Sequence, residues 1–426
     1  MMRSMFAGVV GLQAHQIRMD VIGNNIANVN TTGFKASRAT FYDLLSQTLR
    51  SASRPQNQRG GTNPMQIGLG VGLASIVPSM TPGAPQVTGR NTDMAITGDG
   101  FFVLRGPTGG QVYSRDGNFL VDPEGYLTNA QGLRVMGWTA QNGQIDTTGP
   151  VDVIRLPSRD TMLPAKSTSK VAVKGNLDMS ATSNTSITVP LVIYDQAGTA
   201  HTLNLVMTKT ATLHEWSYTI NPPSGANFGP VAGGTDLTKV DGTITFSATG
   251  SVQSVTGDAT GPLTFRPPGG TTADEFTFTF DFASLTEFSG DTTITQSEDL
   301  TTLEKGYPAG TFEGFSVDSS GVLTGHYSNG LSEPIAQVAL ALFSNPSALE
   351  SRGGYWVESN NSGNARLGAP GIGGRGAIQP GALEMSNVDL ATEFTNMITT
   401  QRGYQANSRL ITTADELLQE LVNLKR

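Results

Sequence analysis

The 426-residue chain has no cysteine, only four histidines, and few charged residues, which make up 15% of the sequence. Without cysteine it has no disulfide, no thiol nucleophile and no thiolate metal site. The histidines are far apart and none has metal-ligand spacing; they are His15, His201, His214 and His326. The absence of cysteine suits an exported protein that must stay unfolded in transit, but chance explains it equally well.

Long apolar runs are also missing. The longest, "VALALF" at 338–343, is far short of the ~20 residues that a membrane-spanning helix needs. We do not expect "MFAGVVGL" at 5–12 to be a secretory signal, because only Arg3 precedes it and its periodic pattern continues further. The net charge of −8 argues against nucleic-acid binding, although residues 1–60 carry seven basic and two acidic side chains.

No pattern in the sequence indicates catalysis. "GIGGRG" at 371–376 matches G-x-G-x-x-G, but Pro380 follows and no strand-to-helix turn is indicated, so we predict a loop. A hydrolase with paired carboxylates stays open, yet nothing singles out a pair. We therefore predict that the chain is not an enzyme and has no cofactor and no metal ion.

What the sequence does contain is a helical pattern at each end. Heptad-like spacing from residue 5 to residue 26 predicts a helix of about 25 residues with a wide apolar face. The same spacing from 390 to 422 predicts a helix over about 388–424, roughly 55 Å long, with Asn387 or Ser386 as its cap. The apolar positions of the two stripes are Met5, Val9, Leu12, Met19 and Ile26, and Leu390, Phe394, Met397, Tyr404, Ile411, Leu418 and Val422.

Helices of this length with one apolar face need a partner. Two arrangements are open. The helices pack on each other or on their own domain, or they stay disordered in the monomer and form coiled-coil-like contacts between copies in a polymer.

The segment "GNNIANVNTTGFK" at 23–35 predicts the end of the first helix and a sharp exit into extended chain. Its four asparagines, Asn24, Asn25, Asn28 and Asn30, tolerate the left-handed conformation, and Gly33 adopts it without steric cost.

Between the helices the sequence pattern predicts β-structure. Turn signals such as Asp-Gly separate short apolar runs, and Phe276, Phe278, Phe280 and Phe282 alternate with polar residues as in a half-buried strand. We predict a mainly β protein with long helical termini and nested β domains. The predicted parts are 1–30 with 385–426, a linking segment 31–75 with at most a hairpin, an inner β domain of 76–150 with 305–384, and an inserted outer domain at 151–304.

Three segments carry a resemblance to a known family. "GNNIANVNTTGFK", "DMAITGDGFFVL" at 93–104, and 381–424 resemble, in the expected order, the shared segments of the bacterial flagellar rod and hook family. Its length and the inserted β domain favour the hook-forming members. "NQRGGTNPMQIGLGVG" at 57–72 resembles instead the distal rod subunit, which builds straight tubes.

The resemblance implies a homopolymer that forms the curved, flexible tube between rod and filament. It also implies type III export to the flagellum outside the cell, and contact with the distal rod, hook-cap and hook–filament junction proteins. Phe41 to Leu45 resembles the element with which family members engage the export gate, although one apolar helix face explains it equally well. The alternatives are a distal rod subunit and a secreted β-rich hydrolase.

Overall fold

The computed structural model describes residues 2–55, 60–141, 143–158, 160–229, 237–270, 274–297 and 302–423. Within this part the chain is mainly β with a long helix towards each end. This confirms the prediction of a mainly β protein with long helical termini. The helices are α1 Met2–Ala27, the single turn α2 Thr302–Lys305, and α3 Leu390–Asn423. Among the described helices, none is long and apolar enough to cross a membrane.

The chain divides into two compact units. The first consists of Met1–Ser158, Phe315–Gly325 and Glu333–Arg426, and the second of Arg159–Gly314 and His326–Ser332. Both long helices belong to the first unit.

The start of α3 is capped by Asp389, not by Asn387 or Ser386 as predicted. The Asp389 carboxylate accepts hydrogen bonds from the Ala391 amide at 3.0 Å and from the Thr392 hydroxyl at 2.6 Å. The Thr392 bond is the main reason that the pKa of Asp389 is lowered. The Asn387 side chain instead accepts from the Ala36 amide at 2.7 Å, because the chain leaving α1 passes beside it.

After α1 the chain forms a long antiparallel hairpin. Its strands pair as β1 with β4 and β2 with β3, and bonds from Leu44 to Gly70 and from Leu69 to Leu45 join the two ladders. Each arm of about 14 residues is therefore roughly 45 Å long. The strands are β1 Ser37–Asp43, β2 Ser46–Arg50, β3 Met65–Gly68 and β4 Val71–Pro78.

Nine short strands follow in the first unit, separated by tight turns. They are β5 Pro85–Val87, β6 Met94–Thr97, β7 Phe101–Arg105, β8 Gln111–Ser114, β9 Phe119–Val121, β10 Leu127–Asn129, β11 Arg134–Gln141, β12 Gln144–Ile145 and β13 Asp152–Val153.

The second unit contains two five-stranded sheets around one apolar core. One has the order β19-β22-β23-β15-β24 and the other β16-β17-β18-β20-β21. Trp216, Phe228, Phe265 and Phe278 are fully buried between them. The strands are β14 Met162–Leu163, β15 Lys170–Asp178, β16 Ser186–Tyr194, β17 Ala200–Lys209, β18 Glu215–Asn221, β19 Asn227–Phe228, β20 Val240–Phe246, β21 Val252–Gly257, β22 Leu263–Arg266, β23 Phe276–Phe288 and β24 Thr293–Gln296.

Strand β23 confirms the phenylalanine alternation. Phe276, Phe278 and Phe282 are buried, and Phe280 is half-buried against the same core. Their spacing of two places them on one face of the strand.

The chain then returns to the first unit through β25 Gly310–Val317 and β26 Val322–Tyr327. In that unit β27, β11, β7, β8, β30 and β29 are successive neighbours in a sheet, with Phe102, Phe119, Leu127 and Leu340 in its core. The remaining strands are β27 Ser332–Val338, β28 Leu340–Leu342, β29 Glu350–Arg352, β30 Tyr355–Val357, β31 Arg366–Gly368, β32 Ala377–Pro380 and β33 Ala382–Glu384.

Candidate assembly surfaces

The two long helices pack against each other in antiparallel orientation. A Cβ atom added to Gly8 would lie 3.2 Å from Cγ1 of Ile411, and one added to Gly403 would lie 2.7 Å from the ring of His15. Residue numbers therefore increase along α1 as the numbers of the contacting residues decrease along α3. Glycine at these points allows the two backbones to approach closely.

Polar side chains continue this contact towards the other end of the pair. Arg18 donates to the Asn396 side chain at 3.4 Å, and Asn25 donates to the Glu393 carboxylate at 3.3 Å. We call this contact the seam. Its positions are 8, 11, 15, 18 and 25 on α1, and 393, 396, 403, 407, 410 and 411 on α3.

The seam has heptad-like spacing, but it lies beside the predicted apolar stripes. Most of its positions precede a predicted stripe position by one residue, a rotation of about 100° around the helix. Apart from Leu410 and the stripe residue Ile411, which lie opposite Gly8, the seam is built from small and polar residues such as Gly11 and Asn407, whereas the stripes carry most of the large apolar residues. The predicted apolar periodicity therefore marks the flanks of the pair.

Many stripe residues are consequently exposed. Val9, Leu390, Phe394, Tyr404 and Val422 are exposed, while Met5, Leu12, Met19, Ile26, Met397, Ile411 and Leu418 are half-buried. Phe6 and Leu417, which lie in a second apolar stripe beside each predicted one, are also exposed. The sequence patterns missed Met2 and Ile398, two further exposed apolar side chains on the same helices.

The turn after α1 is fixed by Asn25. This side chain is 1% exposed; its amide donates to the Ser37 carbonyl at 2.8 Å, and its oxygen accepts from the Ser37 amide at 2.9 Å. Together with its bond to Glu393, Asn25 ties α1, β1 and α3 to one another. Leaving these buried groups unpaired would cost about 1–3 kcal/mol each.

Only Gly33 is left-handed in this turn, with φ of +67°. Among the described residues Asn24, Asn25, Asn28 and Asn30 have no positive φ, so the predicted conformational role of the asparagines is wrong. Asn28 instead donates to the Asn24 carbonyl at 2.9 Å, since α1 continues to Ala27 and the last turn keeps helical geometry.

A buried ion cluster joins this turn to the segment before α3. Lys35 Nζ lies 2.6 Å from one oxygen of Glu384, and Arg115 lies 3.2 Å from the other; their side chains are at most 2% exposed. The Gly83 amide also donates to Glu384 at 2.8 Å. Burial lowers the pKa values of Lys35 and Arg115, and the Glu384 carboxylate opposes that shift in both. Sequence reasoning missed this cluster, because its members lie up to 349 residues apart.

The proposed export-gate residues lie on the hairpin. Phe41 belongs to β1 and is half-buried, and Leu45, between β1 and β2, is 70% exposed. Four residues apart in extended chain, they lie on one face of the hairpin and not on a helix face.

The described residues contain no cluster of three or more His, Asp or Glu side chains suited to a metal ion. "GIGGRG" is a loop between β31 and β32, as predicted, and Arg375 within it donates to the Arg366 and Leu367 carbonyls. Two β-strands flank the loop, so it lacks the helix N-terminus that a nucleotide phosphate needs.

A long helix towards each end, paired with the other, and β units between them agree with the resemblance to the flagellar rod and hook family. Four family models match the chain: Flagella basal body rod protein at 5–35, Flagellar hook protein FlgE/F/G D1 domain at 95–188, Flagellar basal body protein FlaE D2 domain at 157–299, and Flagellar basal body rod FlgEFG protein C-terminal at 379–424.

Full-length relatives distinguish between the hook and rod members of this family. The chain is 39% identical to the flagellar hook protein FlgE of Borreliella burgdorferi and 40% identical to that of Treponema pallidum, with all of each chain covered. It is 33% identical to that of Salmonella typhimurium over 98% of both chains. The chain belongs to the flagellar hook protein FlgE family. It is a structural subunit of the bacterial flagellar hook, and the distal-rod alternative is not favoured.

The fold agrees with this membership. The crystal structure of Helicobacter pylori flagellar hook protein FlgE2 matches with a TM-score of 0.50 and 15% identity, covering 72% of this chain and all of that one.

Proposed function

We propose that copies of this chain assemble into a curved, flexible tube that transmits torque from rod to filament. The observation that carries the proposal is the arrangement of the paired helices. Their mutual contact uses mostly small and polar seam residues, while Phe6, Phe394, Ile398 and Leu417 remain exposed on their flanks. Such apolar side chains on one helical pair suit contacts with other copies.

In this proposal the β domains are nested and the parts have separate tasks. Residues 1–30 with 385–426 form the channel-lining layer through coiled-coil-like contacts, and 76–150 with 305–384 form a middle shell. The inserted domain, 151–304, lies outermost, where bending changes the spacing between neighbours most. Its Thr- and Ser-rich surface supports this role, because weak polar contacts exchange at little net cost.

The proposed partners are the chain itself, the distal rod, the hook-cap and hook–filament junction proteins, and the type III export apparatus. Phe41 and Leu45, four residues apart in the chain, are the proposed export-gate contact.

Immunogold electron microscopy of isolated flagella tests the arrangement, with antibody raised against residues 151–304. We expect label along the short curved segment between envelope and filament. Label confined to the straight rod, or found only in secreted soluble material, would contradict the proposal. Antibody against residues 390–410 is the matched control, and we expect it to bind only dissociated subunits, because those residues face inward in the proposed tube.

A further inference from the structure

Strand β16 of the second unit has a sequence that favours pairing with other strands. It is the first strand of the sheet β16-β17-β18-β20-β21, so its edge faces away from β17. Its residues, "SITVPLVIY" at 186–194, include no charged side chain and four of the nine are Val, Ile or Leu on either side of Pro190 in the middle. Uncharged strands of high β propensity at a sheet edge are templates for pairing between molecules.

The backbone of Val192 points towards this edge and is hydrogen-bonded to a side chain. Its amide donates to Oε1 of Gln296 at 2.8 Å, and its carbonyl accepts from Nε2 of the same side chain at 3.0 Å. Gln296 belongs to β24, the last strand of the other sheet of this unit. The Gln296 amide therefore occupies both groups through which Val192 would bond to another strand.

The outward positions on either side of Val192 are closed in other ways. Since backbone groups alternate sides along a strand, Pro190 and Tyr194 face the same way as Val192. Pro190 has no N–H to donate. The Tyr194 amide donates to the Thr168 hydroxyl at 2.9 Å, and its carbonyl accepts from the Thr168 amide at 3.0 Å. From Pro190 to Tyr194 the edge thus offers another strand no free pair of bonding groups.

We propose that Gln296 and Pro190 form an edge block, which prevents β16 from pairing with the sheet of another copy. The inference rests on the proposed homopolymer, which packs copies closely. A row of main-chain hydrogen bonds between copies would fix their spacing, whereas separate polar side-chain contacts exchange at little net cost. The edge block therefore keeps contacts between copies exchangeable, as bending of the tube requires.

Two substitutions remove the edge block. Pro190→Val supplies the missing N–H, and Gln296→Ala frees the amide and carbonyl of Val192. Pro190→Val with Gln296→Lys is the rescue variant, because lysine cannot accept from the Val192 amide yet places a charge at the edge, which opposes pairing. Gln253→Ala is the matched control, since it removes an exposed glutamine side chain from β21 of the same sheet.

Hydrogen exchange and sedimentation velocity test the proposal on the full chain dissociated into subunits. We expect the Val192 amide to exchange about tenfold faster in Gln296→Ala than in the wild-type chain or in Gln253→Ala. We expect Pro190→Val with Gln296→Ala to form about fivefold more dimers and larger species than the wild-type chain, and the rescue variant to match the wild type.

Faster exchange at Val192 without increased association overturns the proposal. Equal association of the rescue variant and the alanine double variant also overturns it, because lost stability would then explain both. Unchanged exchange in Gln296→Ala would show that Gln296 does not protect the edge.

Circular dichroism first establishes that each variant folds. If the double variants do not fold, Gln296→Ala is compared with Gln296→Lys in the same measurements, and equal association of the two overturns the proposal. Failure of the wild-type chain to form tubes, seen by electron microscopy, contradicts the proposed function itself. That result is separate, because exchange and sedimentation use dissociated subunits.

Discussion

Gly403 of α3 lies against the imidazole ring of His15 of α1, so closely that a Cβ atom on the glycine would come within 2.7 Å of the ring. This contact belongs to a seam of mostly small and polar residues. Because most of the large apolar side chains lie beside the seam, the helices can pair within one copy and still present apolar surface to other copies.

Replacing Gly403 with leucine should separate the helices. We expect Gly403→Leu to lower the free energy of unfolding by about 1–3 kcal/mol, because overpacking outweighs the better helix propensity of leucine. The matched control is Gly23→Leu, since a Cβ at Gly23 meets no atom within 4 Å; this change should be neutral or stabilising by up to about 1 kcal/mol. Thermal unfolding followed by far-ultraviolet circular dichroism measures both. Equal stability of the two variants would contradict the close seam.

His15 should make the stability of the helical pair depend on pH. Burial, with a further contribution from Arg18, lowers its pKa below 6.5. Between the lowered pKa and 6.5 the unfolded chain therefore binds more protons than the folded chain, so the free energy of unfolding falls as the pH falls through this window.

Urea titrations at a series of pH values measure this effect. His15→Gln should flatten the profile in that window, whereas His326→Gln, which replaces an exposed histidine, should not. If the free energy of unfolding of His15→Gln depended on pH as strongly as that of the wild-type chain, His15 would not be the source of the pH dependence.

Glu384→Gln should strongly destabilise the first unit. It leaves Lys35 and Arg115 buried without their anion, and breaking a buried ion pair in this way costs about 3–5 kcal/mol. Glu350→Gln is the control, because the Glu350–Arg352 pair is exposed on both sides and such pairs contribute about 0–1 kcal/mol. Chemical denaturation gives both values. A similar loss in the two variants would mean that Glu384 is not the centre of a buried cluster.

Gly33→Ala should disrupt the turn after α1 through steric contact as well as backbone strain. A Cβ at Gly33 would lie 2.6 Å from the Asp116 amide nitrogen, which is backbone and cannot rotate away. Gly132→Ala isolates the strain, since Gly132 has a φ of +77° and open space around it. We expect a loss of about 1–2 kcal/mol for Gly132→Ala and a clearly larger loss for Gly33→Ala. Comparable melting temperatures would contradict this packing of the turn.

Phe394→Asp should prevent assembly without unfolding the monomer. Phe394 is 49% exposed on the flank of the helical pair, so its loss should change monomer stability little, while a charge there would be buried by a neighbouring copy. Thr395→Asp places the same charge on the adjacent exposed residue and should affect assembly less. Negative-stain electron microscopy shows whether tubes form, and sedimentation measures the fraction of chain that has assembled. Normal tubes from Phe394→Asp would remove this stripe from the polymer contact.

The sequence was informative where a single local pattern decides the outcome. The heptad spacing predicted both long helices, and the alternation of Phe276, Phe278 and Phe282 predicted one buried strand face. It was less informative at the cap of α3. Three neighbouring residues can cap a helix, and only the path of the chain beside Asn387 leaves the task to Asp389.

By itself the sequence determined that both ends are helical, that the middle is β, and that the chain resembles the flagellar rod and hook family. The tertiary structure alone decided which helix face forms the seam. Heptad spacing leaves neighbouring faces equivalent until Gly8, Gly11 and Gly403 allow two backbones to approach. The tertiary structure alone also brings Lys35, Arg115 and Glu384 together, because a buried charge cluster depends on distance in space and leaves no local signal in the chain.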